Sequence, residues 1–186
     1  PQPESGPLPP LTEADRQRGF VVYARHYLEC IYPQTRPRVE DLDPQPRLFA
    51  TPGEYEPLNF VVHPLRDLND ARVIVHDIGP VPAANIDIRR VRFLRARPNY
   101  TVRYRYRVVP DVLERFESLD LAAGENTRFW LTVRIPDDAP AGVFHGKVTF
   151  ICSGGQAELP VTLRILRFRL REDPDRLFAI YYRHPY

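Results

Sequence analysis

Apolar and polar positions alternate along most of this chain, and a period of two predicts strands with one buried face. The alternation is strictest over 101–109. There Tyr104, Tyr106 and Val108 fall on one face, and Arg103, Arg105 and Arg107 on the other. The tyrosines are expected to serve the core and the arginines to form a solvated face or meet acidic partners. Over 71–76, Val73 and Val75 face one way and Arg72, Ile74 and His76 the other. Further strands are predicted over 20–23, 47–50, 58–62, 86–94, 129–135, 143–152 and 158–168, with Phe144, Val148 and Phe150 on one face of the 143–152 segment.

Turn chemistry separates these segments. Thr51-Pro52-Gly53-Glu54, the polar stretch 65–70, the long turn 136–142 and Gly154-Gly155 each break an apolar run. The close spacing of the last strands suits an antiparallel sandwich. Near the start, Thr12 followed by Glu13 and Asp15 reads as a helix N-cap with an acidic first turn. Gly19 limits that helix to about two turns. Residues 33–46 hold four prolines and several charges and read as a connection.

Composition agrees. The 186 residues include 21 prolines, too many to leave room for long helices. A hydrophobic fraction of 43% is enough for a core. The net charge of +2 gives no field that argues for nucleic acid. No apolar run reaches the ~20 residues of a membrane helix. The absence of methionine leads us to expect a processed form, an excised domain or a fragment. Cys30 and Cys152 permit one disulfide but are read as two buried thiols.

Candidate chemistry is sparse. Glu54 and Glu56 would lie ~6–7 Å apart on one side of an extended chain, near the spacing of glycosidase acid and base groups. The flanking prolines favour a turn-stabilising or interface role instead. The arginines from Arg89 to Arg107 interleave with tyrosine as in some single-strand nucleic-acid sites, but the opposite faces argue against that use. His26, His63, His76, His145 and His184 show no metal-ligand spacing, and Asp137-Asp138 reads as a turn rather than a calcium site. Asn99-Tyr100-Thr101 is a glycosylation sequon. There is no nucleophile elbow, P-loop or dinucleotide fingerprint. Catalytic residues, metals and cofactors are therefore expected to be none. Trp130, Tyr104 and Tyr106 could stack on sugar rings, although Trp130, inside its strand, is read first as a core residue.

Four stretches together resemble a known pattern. They are Thr51-Pro52-Gly53-Glu54-Tyr55-Glu56-Pro57; Tyr106-Arg107-Val108-Val109-Pro110 with Val112-Leu113-Glu114; Phe129-Trp130-Leu131-Thr132-Val133 leading to the turn at 136–146; and Leu159-Pro160-Val161-Thr162-Leu163. In this order they resemble the N-terminal β-sandwich of bacterial glycoside hydrolase family 123-like proteins. The resemblance implies a following (β/α)8 barrel that acts on β-linked N-acetylhexosamine sugars through an acidic pair and the substrate's own acetamido group. Those acidic residues belong to the barrel, and none maps onto this chain.

The expectation is an all-β fold, an antiparallel β-sandwich of roughly eight to ten strands, immunoglobulin- or jelly-roll-like. Residues 1–19 would be a proline-rich leader, 20–174 the sandwich and 175–186 the start of a truncated catalytic domain. The chain itself would be non-catalytic. Its expected partner is the C-terminal catalytic barrel of the same parent, met through Glu54, Tyr55, Glu56, Pro110, Leu113, Phe178 and Tyr181. A glycan is a possible second partner; nucleic acid and membrane are not expected. The alternative is a stand-alone carbohydrate-binding or adhesion module. The resemblance also implies an extracellular or periplasmic location.

Overall fold

A computed structural model describes residues 7–96, 106–171 and Asp175. Tyr104, Phe178, Tyr181, the sequon and most of 175–186 lie outside the described residues. The elements are α1 (Glu13–Arg18), β1 (Phe20–Tyr23), β2 (Arg47–Ala50), β3 (Tyr55–Pro64), β4 (Leu68–Val75), β5 (Ile86–Ala96), β6 (Arg107–Glu114), β7 (Leu119–Leu121), β8 (Thr127–Arg134), β9 (Gly142–Cys152) and β10 (Gly155–Ile165). They form two five-stranded sheets, ordered β1-β3-β8-β5-β6 and β2-β10-β9-β4-β7. All pairings are antiparallel except that of β2 with β10. The chain is an all-β sandwich.

Alternation explains the core. In β8 the inward positions are Phe129, Leu131 and Val133; in β10 they are Ala157, Leu159, Val161, Leu163 and Ile165, all buried. Phe150 links the layers, with ring centroids 5.1 Å from Phe20 and 5.8 Å from Phe129. The short helix begins as the sequence indicates: the Thr12 side chain accepts from the Asp15 backbone N–H, and Gly19 closes it at φ 78°. Pro160 is tolerated inside β10 for a geometric reason. Thr162 donates to the Pro46 carbonyl on the β2 side. The missing N–H of Pro160 points the same way, beyond the point where β2 begins pairing.

Five expectations need correction. The turn at 65–70 ends sooner, because β4 starts at the fully buried Leu68. A bulge between Leu68 and Ala71 breaks the period of two there. The last strand covers Gly155–Ile165 rather than 158–168, since Gly155 at φ 127° already resumes pairing after a two-residue turn. Tyr106 and Val108 are exposed, not core. Residues 86–90 of β5 pair with β8, whereas 94–96 pair with β6 alone among the described residues, so this end is a two-stranded ribbon with no third described strand beside it. Cys30 is an exposed thiol, whereas Cys152 is buried as expected. Trp130 is half-buried on the outer face of its sheet, because Phe129 and Leu131 take the inward parity.

Candidate functional site

Residues 24–46 carry little regular structure, yet they cover the outer face of the first sheet. A small second core holds them down: Ile31 packs with Tyr23, Val61 and Leu42. Polar side chains do the rest. Arg25 donates to Asp41 at 2.7 Å, and both side chains are buried. Asn59 of β3 donates to the Arg25 carbonyl at 3.2 Å. Arg128 of β8 donates to Asn59 Oδ1, to the Glu29 carbonyl and to the His26 carbonyl at 3.0, 2.8 and 3.3 Å. Burial lowers the pKa of this guanidinium. Farther along, the Asn126 amide donates to the Tyr32 and Thr35 carbonyls, and its oxygen meets His63 Nδ1 at 2.9 Å. His63 Nε2 lies 3.2 Å from Arg36. Burial holds the His63 imidazole below its ordinary pKa; Asn126 opposes this and the Arg36 charge adds to it.

This overlay positions Tyr27. Its ring stacks on His26 at 4.3 Å and meets Trp130 edge-on at 6.2 Å. A depression opens on each side of it. The larger is a groove of about 780 Å³ between the 40–46 segment, β2 and the start of β3. Here β3 has β8 on one flank only, since β1 pairs with it only at 61–64. The smaller depression, about 240 Å³, is lined by Tyr27, Leu28, Cys30, Leu113, Arg128 and Trp130, among others.

The structure brings some of the sequence candidates together and disperses others. Pro110, Leu113 and Trp130 meet in the smaller depression. Glu56 lines the larger groove, where burial and the neighbouring Glu54 push its carboxyl pKa up. Glu54 is turned away: its carboxylate accepts from the Thr51 backbone N–H at 2.6 Å and closes the turn. Tyr55 is exposed. Tyr106 stands apart on the ribbon, with the Arg95 guanidinium 5.0 Å from its ring centroid. The arginines of β5 meet acidic partners: Arg89 pairs with Asp87 at 2.7 Å and Arg92 with Glu114 at 3.1 Å, and Arg90 also pairs with Glu114.

Sequence reasoning missed Tyr27 and Phe49 as groove residues. Phe49 carried a signal: Arg47-Leu48-Phe49-Ala50 places an aromatic ring on the parity opposite to the buried Leu48 and Ala50. Tyr27 carried none, because it lies outside any periodic segment.

No family model matches the chain, and no curated protein matches it. Among solved structures, a family 123 glycoside hydrolase from Clostridium perfringens, studied for glycolipid glycan hydrolysis, matches 66% of this chain with a TM-score of 0.61 and 15% identity. The match spans 23% of that enzyme. At this identity the likeness is one of fold. The CooA pilin subunit from enterotoxigenic Escherichia coli (11% identity, 69% of this chain, 94% of that one) and the Vibrio cholerae VesB protease (12%, 64% and 29%) have TM-scores of 0.39 and 0.28, too low to carry an argument.

Proposed function

We propose that this chain is a non-catalytic accessory β-sandwich of a glycoside hydrolase acting on N-acetylhexosamine-containing glycans, with the catalytic barrel lying outside these residues. The observation that carries the reading is the fold likeness to one part, 23%, of a family 123 glycoside hydrolase. The smaller depression supports it. Leu28 is 76% exposed and Leu113 42% exposed beside the half-buried Trp130, and solvent-facing apolar side chains grouped this way suit a docking surface. In this reading Pro110, Leu113 and Trp130 face the barrel, and the protein works outside the cell or in the periplasm.

The second reading is a stand-alone carbohydrate-binding or adhesion module, favoured by the larger groove with its exposed rings. Hydrolysis of an aryl N-acetyl-β-galactosaminide separates either reading from a complete enzyme. The chain alone is expected to release no aglycone, and turnover by it would overturn the accessory assignment.

A further inference from the structure

The larger groove has three features that the sandwich does not need for its own stability. The first is its aromatic lining. Phe49 is 70% exposed although its strand is anchored by Leu48 and Ala50, so a polar residue would serve the fold equally well. Tyr27 borders the same space, held from behind by His26 and Trp130. The second is Glu56, a half-buried carboxylate that faces the groove and accepts no hydrogen bond from the described residues. A partly desolvated acceptor without a donor is costly, and a ligand hydroxyl or amide N–H would relieve it.

The third feature is charge. Arg25 and Asp41 neutralise one another in the wall. The remaining ionisable lining groups are Glu40, Asp43 and Glu56 against Arg47, three negative and one positive, a local balance of −2 with His26 neutral. That balance repels phosphates, nucleic acid and acidic sugars. It accepts a neutral ligand rich in hydroxyl donors. The volume of about 780 Å³ falls within the ~300–1,000 Å³ of small-ligand pockets, and the Arg25–Asp41 and Asn59 contacts fix one wall in advance of binding.

We infer that this groove binds a short neutral oligosaccharide, with Tyr27 and Phe49 offering apolar faces to its C–H groups and Glu56 accepting from its hydroxyls. The inference rests on the glycan reading proposed above and adds the site within this domain.

The test is calorimetric titration of the 186-residue chain with neutral oligosaccharides ending in N-acetylgalactosamine or N-acetylglucosamine, and separately with a lysine-rich peptide. Binding of a neutral oligosaccharide is expected, weakened about tenfold by Tyr27→Ala and by Phe49→Ala. Glu56→Ala is expected to weaken it several-fold, and Val143→Ala, an exposed side chain of β9 that lines neither depression, to leave it unchanged. Both rings are solvent-facing, so the variants keep the fold, which circular dichroism verifies. No binding at millimolar sugar, binding indifferent to all three groove substitutions, or preference for the peptide would each overturn the inference. Hydrolysis is a separate readout, so failure of the groove and failure of the accessory reading are distinguishable.

Discussion

Replacing Arg128 with alanine removes a side chain that ties β8 to the chain at both His26 and Glu29. Its three acceptors are neutral oxygens. A hydrogen bond with a charged partner contributes roughly 1.5–3 kcal/mol net. The 3.3 Å contact to the His26 carbonyl is the weakest, leaving two strong ones. Together they amount to about 3–6 kcal/mol. The desolvation that lowers the Arg128 pKa works against this sum, and water can reach the vacated oxygens from the adjoining depression. The expected loss is therefore about 3 kcal/mol. With a urea slope of about 2 kcal/mol per molar, the midpoint falls by about 1.5 M. Arg128→Lys should recover only part of it, because an ammonium cannot reproduce the guanidinium fork. Amide exchange should accelerate at 26–32 while β9 and β10 keep their protection. A shift worth less than about 0.5 kcal/mol, with exchange at 26–32 unchanged, would refute the view that Arg128 holds Tyr27 in place.

Acidification provides a second check. His63 titrates below its unfolded value of about 6.5, so its native environment favours the neutral ring. Stability is then fully present above about pH 6.5 and falls as the pH drops toward the folded pKa, because the unfolded chain takes up the proton first. Urea midpoints measured at about pH 7.5 and about pH 5.5 should show this loss, and His63→Gln should flatten it. Gly154→Ala would set a Cβ 2.1 Å from the Arg18 carbonyl oxygen, a backbone atom with little freedom to retreat. A loss of about 2 kcal/mol is expected, read as a lower thermal midpoint. Ellman's reagent should titrate Cys30 in the native protein and Cys152 only after denaturation.

The strands inside the sandwich could be read directly, because burial imposes alternation on β8, β9 and β10 and because Gly and Pro mark their ends. The site could not. The 24–46 overlay is fixed by Arg25, Asp41, Asn59, His63, Asn126 and Arg128, all residue types that ordinarily face water. Their burial follows from contacts between positions far apart in sequence, such as Arg128 with His26, which no local pattern encodes. Parity was ambiguous at Phe129-Trp130-Leu131, three apolar residues in a row, and the misplacement of Trp130 followed from that. Over 101–109 the period is strict, but alternation says only that two faces differ, not that the apolar one is covered. Tyr106 and Val108 were misread for this reason.

The most direct test of the proposed accessory assignment uses an aryl N-acetyl-β-hexosaminide and compares this chain alone, the longer glycoside hydrolase proposed to contain it, and that enzyme without the sandwich. Under the proposal the longer enzyme hydrolyses the substrate and loses activity or thermal stability without the sandwich, and this chain alone releases nothing. Hydrolysis by this chain alone, or a longer enzyme inert toward such substrates, would contradict it.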